Sequence, residues 1–142
     1  MRTRRLCSDA RGAVAIEMAF ALPVVVMLMI GILQFALVLQ ASGAMRHGIG
    51  EGLRFAKVNA IADPDDAAEV AALEQEVEDV AMAALAGMDR DGIKSIEFTS
   101  GTDASGARFG RIDVIYGMKP IIPFAPLPEI ALSESRQAFL PS

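Results

Sequence analysis

The sequence predicts an α+β protein, with a long N-terminal transmembrane helix followed by a small extracytoplasmic domain of one amphipathic helix on a short antiparallel sheet. Three observations carry this expectation. From Met18 to Met45 the chain has no Asp, Glu, Lys, Arg or His, a run of 28 residues. Between residues 70 and 88, apolar residues recur at alternating spacings of three and four, the period of a helix with one buried face. Two later segments alternate apolar and polar residues, as half-buried strands do. A length of 142 residues leaves room for one small domain beyond the membrane segment.

The first element follows from length. At a rise of about 1.5 Å per residue, the uncharged run exceeds the roughly 30 Å hydrocarbon core of a bilayer. We place a basic leader at residues 1–12, a long helix over 13–60 with its span at about 18–42, and an extracytoplasmic domain over 61–142. Arg2, Arg4, Arg5 and Arg11 precede the span, opposed only by Asp9, which places the N-terminus in the cytoplasm. Arg46, Arg54 and Lys57 follow the span and weaken this asymmetry without reversing it. The run is too long for the h-region of a secretory signal, about 7–15 residues, and Gln40–Ala44 is a poor cleavage site. Cys7 is the sole cysteine, so no internal disulfide can form, and it precedes the apolar run, unlike a lipoprotein cysteine.

Glu17 lies just before this run. A carboxylate inside a membrane helix costs on the order of 3 kcal/mol, and the residues alone leave two readings open. Glu17 can sit one turn inside the interface, reaching headgroups or water. Alternatively, a cut between Gly12 and Ala13 would create an amine at Ala13, four residues before Glu17, and the two charges could pair within or between chains. Pro23, further on, removes one helical hydrogen bond and crowds the preceding turn. Bilayers tolerate this, and prolines are in any case more frequent in membrane helices.

A short basic stretch ending in Gly, an apolar helix directly after it and Glu five residues beyond that Gly resemble a type IV prepilin N-terminus. More narrowly, residues 11–39 are similar to the TadE-like family, the pseudopilins of tight-adherence (Tad/Flp) pilus systems. The similarity rests on Arg11-Gly12, Glu17, Leu22-Pro23 and Gly31-Ile32-Leu33. Glu51–Val58 is similar to the family's continuation of the helix outside the membrane, and Ile112–Phe124 to its C-terminal strand and proline-rich segment. Gln34 departs from the pattern, which often has an acid there. The resemblance implies processing by a prepilin peptidase at Gly12–Ala13 and a role for Glu17 and Pro23 in helix packing during assembly. It further implies contacts with other pilin-like subunits and with an inner-membrane assembly platform.

The remaining elements come from pattern. Nothing from Gln40 to Asn59 stops the helix, although Gly43, Gly48, Gly50 and Gly52 weaken it or let other helices approach. "GIGEG" (48–52) lacks the preceding strand and following Lys-Ser/Thr of a phosphate loop. A second helix is expected with Asp63 as N-cap, Pro64 in the first turn and Asp65 and Asp66 at the positive end of the dipole. Its stripe is Val70, Leu73, Val77, Val80, Ala84 and Met88, Gly87 ends it, and Glu69, Glu74, Glu76, Glu78 and Asp79 read as a solvated face. Strands are expected at Ser95–Thr99 and Arg111–Tyr116 around a turn at 100–106, with a weaker third strand at about Ile130–Phe139. Gly117–Glu129 has four prolines and cannot be a central strand; it is either a packed connection or an exposed apolar contact for a pilus component.

No catalytic, metal or cofactor site is expected. His47 stands alone beside Arg46, and its position points it at lipid headgroups. Asp89, Asp91 and Gly92 match part of a calcium loop, but the twelfth position falls on Phe98 rather than Glu. Removing residues 1–12 takes four Arg and one Asp from thirteen basic and eighteen acidic residues, leaving a net charge of −8, which speaks against nucleic acid. No small-molecule substrate is indicated. The chain is thus expected to be a minor pilin-like subunit, single-pass in a bacterial inner membrane with its domain in the periplasm. The rivals are an uncleaved, permanently anchored assembly or scaffold factor, and an anchored binding domain unrelated to pili. An enclosed, ligand-sized pocket in the outer domain would favour the last.

Overall fold

The computed structural model describes residues 10–59, 66–122 and 127–141. Its elements run in the order α1 (Ala10–Val58), α2 (Ala67–Ala84), a 3-10 turn at Arg90–Gly92, β1 (Ile93–Thr102), β2 (Arg108–Met118) and β3 (Ile130–Phe139). The three strands form one antiparallel sheet in sequence order. The α+β class and the long apolar first helix are as expected.

α1 is a single helix of 49 residues, about 74 Å long, that continues through Pro23 and through all four glycines between 43 and 52. Its two halves differ. From Ala41 onward Ala41, Met45, Ile49, Leu53 and Ala56 are buried, a stripe at spacings of four and three that lies across the sheet. Gly48 and Gly52 share this face. A Cβ at Gly48 would stand 2.8 Å from the Leu85 side chain, and one at Gly52 would stand 2.6 Å from that of Ile112. Both glycines therefore serve close packing against α2 and the sheet.

α2 begins three residues later than the sequence implied. Asp66 is the N-cap, its carboxylate accepting from the Ala68 N–H at 2.9 Å, while Asp63 and Pro64 lie outside the described residues. The buried stripe is Leu73, Val77 and Ala81, continued by Leu85 just past the helix; Val70, Val80, Ala84 and Met88 flank it, half-buried. The helix ends at Ala84 with Leu85 as its cap, ahead of Gly87.

Both strands of the first hairpin are longer than their alternation indicated, because pairing continues through Gly101↔Phe109 and Thr102↔Arg108. Gly101 and Gly110 are in ladder positions covered by rings, that of Phe109 and that of Phe98 respectively. The turn narrows to residues 103–107. There the Asp103 carboxylate accepts from the Ser105 N–H, the Ser105 hydroxyl and the Ala107 N–H at 2.9, 2.6 and 2.9 Å, and Gly106 takes the positive φ of 85° that favours glycine. These bonds to the charged form hold Asp103 below the usual carboxylate range.

Phe98 on β1 and Ile112, Val114 and Tyr116 on β2 are buried on one face of the sheet. The sequence had that face under α2 alone. In the structure α1 also lies over β2 and β3, and α2 packs beside it over β1. The amphipathic period of the second helix is legible in sequence, but the second job of the first helix is hidden by its uniform apolarity. The opposite face, with Ile115 and Phe139, is exposed.

Candidate functional site

The candidate site is the half of α1 that the domain leaves bare. From Gly12 to Met29 every side chain is exposed. Val14, Ile16, Met18, Phe20, Leu22, Val24 and Leu28 are among the large apolar groups facing outward around the whole helix. Burying one such side chain contributes about 1.5–3 kcal/mol, so this surface requires an apolar surrounding that the chain itself does not supply. α1 is the one helix among the described residues long and apolar enough to cross a membrane, as a single-pass anchor would be.

Gly12, Ala13, Glu17 and Pro23 all lie on this bare stretch, exposed and away from the domain. Ala13 and Glu17 are one turn apart on the same side of the helix. Since α1 starts at Ala10, Ala13 stands one turn into the helix, near the positive end of its dipole. Pro23 has no N–H to give to the Ala19 carbonyl one turn before it.

The bare stretch ends at Gln34, which sequence reasoning noted only as a departure from a family pattern. Gln34 is buried, 7% exposed, the one polar side chain in the described core. Its Oε1 accepts from the backbone N–H of Ile121 at 2.8 Å, and its Nε2 lies 3.3 Å from the Met118 sulfur. The signal was available: a lone amide in a long apolar run must find partners. What the sequence could not reveal is that those partners lie more than eighty residues away. Gln34 therefore fastens the end of β2 and the start of the proline-rich connection to α1. Residues 34–42, counted within the span from sequence, carry the domain on one side.

Further along α1, Arg46 Nε and Nη2 each reach Glu134 Oε1 on β3 at 3.1 Å. The Glu134 carboxylate holds the guanidinium further toward its charged form. His47, next to it, is exposed and lines an open cleft with Gln40, Ala44 and Met88. It stands thirteen residues beyond Gln34, about 20 Å along the axis, so it is not at the bare end of the helix. Among the described residues no cluster of three or more His, Cys, Asp or Glu side chains is placed to hold a metal ion. Four surface clefts among the described residues, of about 230 to 570 Å³, open to solvent.

The acidic face of α2 is not wholly solvated. Glu78 Oε1 accepts from the Phe98 N–H at 3.0 Å, and Glu74 Oε1 accepts from the Ser100 hydroxyl at 3.4 Å. The Glu78 bond covers a backbone donor on the outer edge of β1, where free backbone groups would otherwise invite another strand, and the Glu74 bond ties the Ser100 side chain to α2. Glu76 and Asp79 are exposed.

Residues 12–54 match the family model described as TadE-like protein. The match takes in the bare half of α1 and most of the packed half, and leaves out α2 and the sheet. It is consistent with a TadE-like protein of Tad pilus systems. No curated protein and no solved structure matches the chain.

Proposed function

We propose, from the TadE-like match of its helix as premise, that this chain is a minor pilin-like subunit acting in the assembly of a Tad-type pilus. The observation that carries the reading is the division of α1. From Ala13 onward its first half is apolar on every side but for Glu17, and bare, while its second half is the spine of a folded domain. Such a subunit can store its first half in a bilayer and later exchange lipid for neighbouring helices of the same character, without the domain unfolding.

In this reading residues 1–12 are a leader on the cytoplasmic side of the inner membrane, and a prepilin peptidase cuts between Gly12 and Ala13. The cut removes three of the described helical residues, 10–12, and Gly12 is the poorest helix former among them. The new Ala13 amine and the Glu17 carboxylate then pair, within the chain or with a neighbour, which offsets the desolvation of the acid and sets the register between helices. Pro23 gives the segment a point at which to bend on leaving the membrane. The domain, in the periplasm, presents its surfaces to other subunits and to the assembly platform.

The test is the intact mass of the membrane-extracted protein with the peptidase present and absent. Loss of residues 1–12 only when the peptidase is present supports the reading. A full-length chain in both samples moves the assignment to an uncleaved, anchored assembly factor. For a cut protein, Glu17→Ala is expected to abolish its capture by pilus partners while leaving the domain folded. Unchanged capture would remove the assembly role of Glu17.

A further inference from the structure

The described ends of the proline-rich connection after β2, residues 119–122 and 127–129, carry apolar side chains that the domain leaves partly bare. Ile121, Ile122 and Leu127 are 51%, 39% and 47% exposed. Their place in the molecule gives them a use. The Ile121 N–H is bonded to Gln34, so the start of this connection stands at the level of α1 where the bare stretch ends. From Ala13 to Leu33 there are twenty-one residues, about 31 Å of helix and the thickness of a bilayer core. With that stretch as the span, the far surface of the bilayer meets the chain at Gln34; Ile121 lies on it with Ile122 beside it, and Glu129, which lines one cleft with Leu37 and Ile121, brings Leu127 back toward the same level.

We propose that the described ends of this connection form a second membrane contact, in which Ile121, Ile122 and Leu127 enter the leaflet on the domain side and rest the domain on the lipid surface. The inference rests on the bare half of α1 spanning the bilayer. The partner is the apolar and headgroup boundary of a zwitterionic bilayer, and charge argues for this choice. Around the connection, Lys119, Lys94 and Arg90 are matched by Asp89, Asp91 and Glu129, with Lys94 and Glu129 paired at 3.1 Å. No excess of positive charge is present to draw the domain to anionic lipid, so burial of apolar surface is the attraction. Lys119 is exposed at this end and can extend its ammonium to the headgroups while its stem lies among them. The contact fixes how the domain sits above the membrane before assembly and must be broken when the subunit leaves the bilayer.

A nitroxide label measures this directly. In the full chain carrying Cys7→Ser, a label is placed by Ile122→Cys, by Leu28→Cys on the bare helix and by Phe139→Cys, 62% exposed at the other end of β3. The protein is reconstituted in vesicles of phosphatidylcholine and phosphatidylethanolamine, and the ratio of accessibility to oxygen and to a water-soluble nickel chelate is read at each site. The ratio is expected to be highest at Leu28, several-fold above the Phe139 value at Ile122, and lowest at Phe139. Leu127→Cys reads the same contact should Ile122→Cys fail to fold. A lipid-like Leu28 with Ile122 as aqueous as Phe139 overturns the inference and leaves the anchor standing, whereas an aqueous Leu28 removes both. Shielding at Ile122 that grows with the ratio of protein to lipid would identify a second copy of the chain as the occupant. Shielding that requires phosphatidylglycerol would identify charge as the attraction. Either result overturns the proposal.

Discussion

Single residues in this chain have effects that depend on where along α1 they sit, and its glycines make the point. Gly50 and Gly52 occupy the same helix two residues apart. A Cβ at Gly50 meets nothing within 4 Å, whereas one at Gly52 meets the Ile112 side chain at 2.6 Å and the Ala81 Cβ at 3.2 Å. Gly50→Ala is therefore expected to stabilise the domain by about 0.5–1 kcal/mol through helix propensity, and Gly52→Ala to destabilise it by about 1–3 kcal/mol through overpacking. Denaturant titration of the two variants, in detergent, checks both signs; a loss at Gly50 would mean that its surface is covered. Asp103 gives a pH-dependent counterpart. Its carboxyl is held below the ordinary carboxylate range by the Ser105 hydroxyl and the turn N–H groups, so its contribution is complete above its unfolded-state value. That contribution is lost as pH falls through the lower, folded-state value. Asp103→Asn removes this acid sensitivity. The expected observation is that stability of the variant changes less than that of the parent between pH 5 and pH 2, where about 4 is the ordinary carboxylate value.

Among the elements, α2 shows how two glutamates can be structural on a helix that reads as a solvated face. Glu78 covers the Phe98 N–H on the open edge of β1. Glu78→Ala is expected to cost about 1–2 kcal/mol by leaving that half-buried donor unpaired, and to speed hydrogen exchange at Phe98 more than at the outward amide partners on β3. Unaltered exchange at Phe98 would show that water replaces the carboxylate at no cost. Sequence alone finds this helix, since an apolar stripe is a local property, but it puts the cap at Asp63, three residues before Asp66, because any of these aspartates suits a cap. It also locates all three strands, with Ile130–Phe139 agreeing to the residue, because alternation of apolar and polar positions is local too. It misses the lengths of β1 and β2, which depend on pairing through glycines that rings protect, and it misses the edge bonds of Glu74 and Glu78, which depend on which strand lies outermost. Long-range partners leave little trace in local pattern, and for the same reason Gln34 looked like a missing acid rather than a fastening.

At the scale of the molecule, the division of α1 at Gln34 has a consequence for stability. The buried core draws on α1 only through residues from 34 onward, namely Gln34, Ala41, Met45, Ile49, Leu53 and Ala56; the bare stretch adds apolar surface but no packing within the chain. A chain starting at Gln34 is therefore expected to fold as a water-soluble domain with a cooperative thermal transition, because every side chain that fills the space between helices and sheet is retained. The bare half, in contrast, is expected to bring insolubility in water and no gain in domain stability. Circular dichroism of the shortened chain in buffer, set beside the full chain in detergent, measures this. Midpoints agreeing to within about 4–8 °C, the shift expected from 1 kcal/mol in a domain of 60–100 residues, support independence of the two halves. A shortened chain without a cooperative transition would mean that the domain relies on the helix below it or on the surface beneath it. Such independence is what a subunit needs if its helix is to pass from lipid into an assembly of helices: the apolar half changes surroundings while the bonds of Gln34, Arg46 and Glu78 keep the domain on its spine.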